Sequence, residues 1–305
     1  YCKERDIRLM GDIPMFVAFD SSDVWSNQEY FDLDPEGAPN KVAGVPPDYF
    51  SSSGQRWGNP LYNWETMRGD GFSWWTARFR KALEDFDLVR VDHFRGFSAC
   101  WSVPAEEETA ANGEWTETPG RELLEVLSRS IRKDGTDELP LIAEDLGIIT
   151  DDVRELMADF GLPGMKVLLF AFQGDVGSGP YSPHNHVPGS VVYTGTHDNN
   201  TVRGWWESES DERSRSLVSE YTGREINKEN VSEVFSVMAL SSTSKLAVIP
   251  MQDILGLGSG SRMNVPGVAK GNWLWRISSA ELEALNRTDS HIKVRYKWLN
   301  SLFGR

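Results

Sequence analysis

The chain has 305 residues, 39% of them hydrophobic, so it can bury the core of one large domain or two ordinary ones. Its 31 basic and 46 acidic side chains give a net charge of −15, which disfavours nucleic acid and anionic membrane surfaces as partners. The two cysteines, Cys2 and Cys100, exclude a disulfide framework and favour a reducing compartment. A neutral ligand is compatible with this composition, and no apolar run is long enough for a membrane span.

Apolar runs typical of strands alternate with helical patterns along the chain. The predicted strands are residues 7–17, 88–94, 141–143, 165–170, 191–193 and 246–250. Helices are predicted over about residues 74–86, 121–132, 202–221, 230–240 and 290–303, and another begins at Asp151 after the capping residue Thr150. A segment rich in Gly, Pro, Ser and Asp, from about Asp20 to Asn63, is predicted as a long loop.

Alternation of strands and helices predicts an α/β protein with a parallel sheet. Three of the strands run into carboxylates, which favours a (β/α)8 TIM barrel with its site at the C-terminal ends of the strands. A doubly wound open sheet also alternates, but no Gly-rich phosphate loop follows the first strand. Since six strand–helix units are two short of eight, we expect the first barrel strands to lie upstream of residue 1.

The most informative segment is 88–96, a short apolar run that ends in charge. Four ionisable side chains crowd there and need partners if the strand is buried, namely Arg90, Asp92, His93 and Arg95. Arg90 and Asp92 are two residues apart, so they face the same side of a strand, where the arginine favours the ionised carboxylate. Such a carboxylate suits a glycosidase-type nucleophile. A buried structural ion pair is the alternative, and the extra His93 and Arg95 favour a site.

Other strand ends also carry polar residues. Asp12, beside Gly11 and Pro14, fits a turn and a site equally well. Glu144 closes the strand 141–143, and together with Asp92 it supplies the second carboxylate that glycosyl acid–base chemistry requires. A solvent-facing strand end is the alternative for Glu144. The segment 196–201 follows a strand and precedes a helix, so a polar turn with a helix cap is its alternative.

The sequence predicts neither a metal ion nor a cofactor. The step His197-Asp198 could be half of a metal site, but no full ligand set, CxxC or HExxH motif accompanies it. No Gly-x-Ser-x-Gly elbow is present, so serine hydrolase chemistry is unsupported. The predicted loop 20–63 is too long to be a mere connection, and its aromatics argue against disorder. Within it, Trp57 is flanked by Gly, Asn and Pro, where a ring suits stacking on a sugar; core packing is the alternative.

Several sequence blocks, taken together, resemble one known family. They are GDIP (11–14), DSSDVW (20–25), GVPPDYF (44–50), GQRWGNP (54–60), RVDHFRG (90–96), AEDLG (143–147), GTHDN (195–199), RMNVPG (262–267) and GNW (271–273). In this order they resemble glycoside hydrolase family 77, the 4-α-glucanotransferases of the amylomaltase or disproportionating-enzyme type in the α-amylase clan. The segments 112–118 and 174–189 match no block, and Asn200 stands where an acid is expected.

The resemblance implies a role for each matching residue. Asp92 would be the nucleophile that forms a β-glucosyl-enzyme intermediate, and Glu144 the general acid and then base. Asp198 would hold the hydroxyls of the distorted donor sugar. Other contacts with substrate or nucleophile are implied for Arg90, His197, Asp12, Asp48, Trp57 and Asn264. The upstream barrel strands and acceptor-groove residues of the family are absent, so residues 1–305 would form roughly the C-terminal three quarters of one catalytic barrel domain, unable to close alone.

The resemblance also implies the reaction, a retaining transfer of α-1,4-glucan segments between maltooligosaccharides through a covalent intermediate. Carboxyl groups about 5–5.5 Å apart give retention, and Glu144 needs a raised pKa to donate its proton. The loop 20–63 would cover the glucan groove and exclude water, so that a sugar hydroxyl attacks instead. An α-1,4-glucan hydrolase and a non-catalytic glucan-binding protein stay open as alternatives.

The implied partners are maltooligosaccharides and α-1,4-glucans, with no nucleic acid and no membrane. A homodimer is left open. Plastid stroma and cytoplasm are both reducing compartments, and the sequence does not separate them.

Overall fold

The computed structural model describes residues 1–47, 51–132 and 138–305, which divide into two units, Tyr1–Gly164 and Met165–Arg305. Both units combine helices with β-sheet, so the predicted α/β class is confirmed. Asp48 lies outside the described residues. In the part of the chain that is described, no helix has the length and apolar character needed to cross a bilayer.

The first unit combines the strands of two sheets with α-helices. Its strands are β1 (Met10–Pro14), β2 (Lys41–Val45), β3 (Gln55–Pro60), β4 (Leu88–Asp92), β5 (Ala99–Pro104), β6 (Glu114–Glu117) and β7 (Leu141–Ala143). Its helices are α1 (Ser22–Ser26), α2 (Trp64–Gly69), α3 (Ser73–Asp85), α4 (Gly120–Ile131) and α5 (Asp151–Asp159). The predicted strands and helices of this unit are all found, with ends shifted by a few residues.

A parallel sheet in the order β1-β4-β7 organises the first unit. Asp12 lies opposite Arg90, and Pro14 lies opposite Asp92. Val91 lies opposite Ala143, so the residues that follow β4 and β7 emerge at the same edge of the sheet. This register brings the predicted carboxylates of three strands toward one end, which is where parallel sheets carry their sites.

Helices α3 and α4 bury their apolar stripes in the core of the first unit. On α3, Trp75 and Phe79 are four residues apart and fully buried. On α4, Leu123, Leu124 and Leu127 repeat at helical spacing and are equally buried. Burial of apolar surface stabilises the packing of these helices by about 25 cal/mol per Å². The two helices thus pack their apolar sides into the core of the first unit.

The segment predicted as a long loop contains regular structure, which corrects that prediction. It includes α1, β2 and β3, and these strands join β5 and β6 in an antiparallel sheet of order β3-β2-β5-β6. The sequence pattern does not indicate β3, because half of its residues are exposed and it contains Gly58 and Pro60. Gly54 has a φ of +66°, and a Cβ there would lie 2.4 Å from the carbonyl oxygen of Val45, so this position requires glycine.

The second unit is built on β8 (Gly164–Val167), β9 (Ser190–Tyr193) and β10 (Leu246–Val248), in the order β10-β9-β8. β9 and β10 run parallel, with Val192 opposite Ala247. The helices are α6 (Val202–Ser208), α7 (Glu212–Thr222), α8 (Val231–Ser241), α9 (Met251–Ile254), α10 (Ser279–Asn286) and α11 (His291–Phe303). In the core, the rings of Trp205 on α6 and Phe235 on α8 lie 5.6 Å apart.

The helix predicted over 202–221 is two helices, α6 and α7. The break has a local cause, because the carboxylate of Asp211 accepts a hydrogen bond from the backbone N–H of Ser214 and so starts a new helix. Thr150 does occupy the N-cap position of α5, but its hydroxyl accepts a hydrogen bond from Arg95 rather than from the helix backbone. A local cap therefore starts α7, whereas the hydroxyl of Thr150 is bound by a side chain from elsewhere in the fold.

Candidate active site

A buried arginine joins two carboxylates at the C-terminal end of the first parallel sheet. The Nη1 atom of Arg90 donates to both carboxylate oxygens of Asp12, at 2.8 and 2.7 Å. Its Nη2 atom donates to Oδ1 of Asp92 at 2.5 Å. The two carboxylates are 47% and 41% exposed, whereas the arginine side chain is 8% exposed. The arginine thus fixes Asp92 from the protein side and leaves its outer side open.

The guanidinium of Arg90 keeps its positive charge. Burial favours the neutral guanidine, but the nearby carboxylates of Asp92 and Asp12 outweigh it and raise the pKa of Arg90 above its usual value. A permanent cation therefore faces Asp92. Within the described ranges, no hydrogen bond reaches the second carboxylate oxygen of Asp92, which is free to approach a reacting carbon.

Glu144 follows β7 directly and is 9% exposed. Its Oε2 atom accepts a hydrogen bond from the backbone N–H of His93, and its Oε1 atom accepts one from Leu146, both at 2.8 Å. Burial and the negative charge of Asp92 nevertheless raise the pKa of Glu144 to about 7. The raised pKa that the sequence analysis requires for this residue is therefore found. Near neutral pH this carboxyl group can both donate and accept a proton.

His93 follows Asp92 in the chain and donates its backbone N–H to Glu144. Its φ of 49° lies in the left-handed region, which turns its backbone N–H toward Glu144. Burial lowers the pKa of the His93 ring to about 4, so the ring is uncharged at neutral pH. Within the described residues its Nε2 atom is buried without a hydrogen-bond partner. The ring packs edge-on against Trp57, with centroids 4.8 Å apart and an angle of 85°.

Trp57 lies on β3, in the segment that was predicted as a loop. Its side chain is 39% exposed, and its indole N–H donates to the side chain of Gln55 at 3.2 Å. Through His93 it borders the carboxylate pair. A flat, half-exposed ring in this position presents an apolar face to solvent.

The second unit contains another predicted carboxylate, Asp198, in the segment after β9. The amide of Asn264 donates to its Oδ1 atom at 2.6 Å. The Nε2 atom of His197 lies 3.5 Å from its Oδ2 atom. Asp198 and His197 are 42% and 32% exposed. The structure therefore brings together the three predicted residues of this unit, with their polar atoms partly open to solvent.

Residues that the sequence analysis did not select also hold Asp198. The guanidinium of Arg262 donates to the backbone carbonyl of Asp198 at 2.7 Å and to that of Asn264 at 2.8 Å. It also pairs with Glu209 at 3.1 Å, whose same oxygen accepts a bond from Asn200 at 2.8 Å. Asn200, which departs from the family pattern, is thus a donor to Glu209. Arg262 belongs to the block RMNVPG, and that block was the one signal that could have indicated it.

Asp253, also not selected, is 2% exposed and lines a cavity of about 180 Å³ together with His197. Burial raises the pKa of Asp253 to about 6. No sequence pattern marks this residue, because its partners, Thr194 and Val202, lie more than fifty residues away in the chain.

The predicted residues therefore fall in two groups. The first unit holds Asp12, Trp57, Arg90, Asp92 and Glu144, and the second holds His197, Asp198 and Asn264. Across residues 1–47, 51–132 and 138–305, no three His, Cys, Asp or Glu side chains are grouped so that they could hold a metal ion.

Comparison with known proteins identifies close relatives. The sequence model of the family described as 4-alpha-glucanotransferase, glycoside hydrolase family 77, matches residues 1–282. The 4-alpha-glucanotransferase of Synechocystis sp. is 47% identical over 307 residues, covering 100% of this chain and 58% of the relative. The chloroplastic/amyloplastic 4-alpha-glucanotransferase of Solanum tuberosum is 48% identical over 280 residues, covering 92% of this chain and 47% of the relative.

A solved structure is similar along the whole chain. It is the amylomaltase from Streptococcus agalactiae in complex with acarbose, with a TM-score of 0.91 and 35% identity, covering 100% of this chain and 59% of that one. The chain spans about half the length of the curated relatives it matches. Because the family model matches most of the chain and relatives are nearly half identical, the chain belongs to glycoside hydrolase family 77, the 4-alpha-glucanotransferase family.

Proposed function

We propose that the protein is a retaining 4-α-glucanotransferase that moves α-1,4-glucan segments between maltooligosaccharides. One observation carries the proposal beyond family membership. An ion-paired, half-exposed carboxylate, Asp92, lies near a buried carboxyl group, Glu144, whose pKa is raised to about 7. A carboxylate held by an arginine, beside a second carboxyl group that exchanges its proton near neutral pH, is the pair that retaining glycosyl chemistry uses.

In the first half-reaction, the free oxygen of Asp92 attacks the anomeric carbon of the donor glucan. The glycosidic bond breaks as Glu144 gives its proton to the leaving 4-oxygen, so a shortened glucan departs and a β-glycosyl ester of Asp92 remains. In the second half-reaction, ionised Glu144 takes the proton of an acceptor 4-hydroxyl. That oxygen attacks the anomeric carbon, the ester bond breaks, and an α-1,4 linkage is restored. A pKa near 7 serves both steps.

The remaining predicted residues have supporting roles in this proposal. Arg90 orients Asp92 through their hydrogen bond. Asp198 and His197 hold hydroxyl groups of the donor sugar, and Asn264 orients Asp198 by its 2.6 Å bond and contacts sugar. Additional sugar contacts are proposed for Asp12, Asp48 and Trp57.

The finer description of the fold is part of the same proposal. We assign the chain to one catalytic (β/α)8 barrel domain, with the segment 20–63 covering the glucan groove. Covering the groove excludes water from the covalent intermediate, so a sugar hydroxyl wins the second attack and transfer prevails over hydrolysis. We propose plastid stroma or cytoplasm as the location. Light scattering on the full-length protein distinguishes a homodimer from a monomer.

The test is to incubate the full-length protein with maltotriose and to resolve the products over time. We expect free glucose and a ladder of longer maltooligosaccharides, while the total number of reducing ends stays constant. Rising reducing ends with only shorter products would identify an α-glucan hydrolase instead. Calorimetric binding of maltooligosaccharide or acarbose without any turnover would identify a non-catalytic binding protein. The Asp92→Asn variant is the control for contaminating activity.

A further inference from the structure

A buried carboxylate joins the two ends of the segment that carries Asp198. The Oδ2 atom of Asp253 accepts a hydrogen bond from the hydroxyl of Thr194 at 2.6 Å. Its Oδ1 atom accepts one from the backbone N–H of Val202 at 2.8 Å. Thr194 is the first residue after β9, and Val202 is the first residue of α6. Between them lie residues 195–201, which include His197 and Asp198.

Both donors depend on this carboxylate. Thr194 and Val202 are completely buried, and among the described residues the Thr194 hydroxyl and the Val202 N–H donate to no other group. The N–H of Val202 is one of the helix N-terminal groups that has no acceptor within the helix. The cap residue Thr201 accepts from Gly204 and leaves the N–H of Val202 to Asp253. The carboxylate also interacts favourably with the N-terminal end of α6.

The position of Asp253 is costly for a charged side chain. It is 2% exposed, and burial of a carboxylate favours its neutral form, which is why its pKa is raised to about 6. An apolar residue of similar size would avoid this cost but could not accept either hydrogen bond. The two hydrogen bonds that Asp253 accepts therefore explain why an acid occupies this buried position.

Asp198 itself is held from other directions. Asn264 bonds its carboxylate, and Arg262 bonds its backbone carbonyl. These contacts fix the side chain and the middle of the segment, whereas Asp253 fixes where the segment leaves the sheet and where it enters the helix. The Asp253 carboxylate has its partners on Thr194 and Val202 and not on His197 or Asp198.

We propose that Asp253 is a positioning residue for Asp198, acting by tying Thr194 to Val202 across the segment 195–201. This inference rests on the proposed function, because it assumes that Asp198 acts on the donor sugar. Displacing a catalytic group by about 1 Å can reduce the rate by about 100-fold. Loss of the tie therefore lowers kcat more than it raises KM for the donor.

The test uses two substitutions at Asp253 in the full-length protein. Asp253→Leu keeps the branched shape of the side chain, although it is larger, and leaves both buried donors unpaired; we expect kcat for maltotriose disproportionation to fall about 10- to 100-fold. Asp253→Asn keeps a carbonyl acceptor for Val202, and its NH₂ group can donate to the Thr194 hydroxyl. We expect it to retain activity to within about fivefold, the effect of one ordinary hydrogen bond. Asp211→Ala, which removes the side-chain cap of α7, is the control with unchanged kcat.

A second set of variants separates positioning from general stability. If Asp253 acts through Asp198, Asp253→Leu lowers kcat by less than about twofold further when it is added to Asp198→Asn, because coupled residues are not additive. A full, independent loss in that background would overturn the proposal. So would a lower melting temperature with unchanged kcat. If Asp253→Leu does not fold, Asp253→Asn and Thr194→Val are compared by the same measurements. An inactive wild-type protein would refute the proposed function instead, which keeps the two failures distinct.

Discussion

The raised pKa of Glu144 predicts that replacing this residue changes how stability depends on pH. Glu144→Gln keeps the size of the side chain and removes its ionisation. Burial first, and then the charge of Asp92, raise the pKa of Glu144 from 4.5 to about 7. Because 1 pH unit corresponds to about 1.4 kcal/mol, ionising this group in the folded protein costs about 3 kcal/mol relative to the unfolded chain.

Stability falls with rising pH wherever the folded protein binds the proton more tightly than the unfolded chain does. Between about pH 4.5 and 7 the folded protein retains the proton on Glu144 while the unfolded chain loses it. The wild-type protein therefore loses stability across this window as pH rises, and the full penalty applies above pH 7. The glutamine variant lacks the penalty. It also has a constant cost of about 1–3 kcal/mol, because its NH₂ group faces the N–H of either His93 or Leu146.

The measurement is the free energy of unfolding by urea at pH 4.5, 6 and 8 for both proteins. We expect the difference between variant and wild type to shift by about 3 kcal/mol in favour of the variant from pH 4.5 to pH 8. Comparing differences cancels the titrating groups that do not interact with Glu144. The exposed Glu106→Gln substitution removes the same charge without burial and is expected to give no such shift. Parallel pH profiles for wild type and Glu144→Gln would refute the reasoning.

Four other predictions follow from the same site. Asp92→Asn lowers transfer from maltotriose at least about 10⁴-fold with an unchanged circular dichroism spectrum; wild-type turnover would make the nucleophile assignment wrong. The value of kcat/KM falls as pH rises above about 7, because Glu144 must hold its proton to donate it, and a flat profile from pH 6 to 9 would contradict this. Trp57→Ala raises KM for maltotriose by up to about tenfold, the effect of one stacked ring; an unchanged KM would remove Trp57 from the sugar site. A chelator leaves the rate unchanged, whereas a loss that Ca²⁺ restores would reveal a metal requirement.

The sequence predicts the parallel strands and the large helices because their burial has a simple period. β4 and β7 are short apolar runs, and the stripe of Leu123, Leu124 and Leu127 follows the turn of a helix. The antiparallel sheet of β2, β3, β5 and β6 has no such period, since β6 is exposed throughout and β3 contains Gly and Pro. Its strands are specified by pairing with residues far along the chain, which a local pattern does not contain.

The sequence predicts the carboxylates of the candidate site but not the contacts that surround them. Carboxylates after apolar runs identify Asp92, Glu144 and Asp198 as residues at strand ends, and the family blocks give their proposed roles. The value of about 7 for the pKa of Glu144 depends on burial and on Asp92 from a neighbouring strand, so it needs the fold. Asp253 and Arg262 were missed for a related reason, since each acts through contacts with elements more than fifty residues away in sequence.

The central claim is that Asp92 forms a covalent bond with the donor glucan. Its most direct test is mass spectrometry of the full-length Glu144→Gln variant after reaction with α-maltotriosyl fluoride, whose fluoride leaves without help from an acid. Trypsin cleaves after Arg90 and Arg95, so Asp92 lies in the peptide VDHFR as its only acidic residue. We predict that this peptide gains the mass of one maltotriosyl group. Release of fluoride with no adduct, or an adduct on Asp12 or Asp198 instead, would contradict the proposed mechanism.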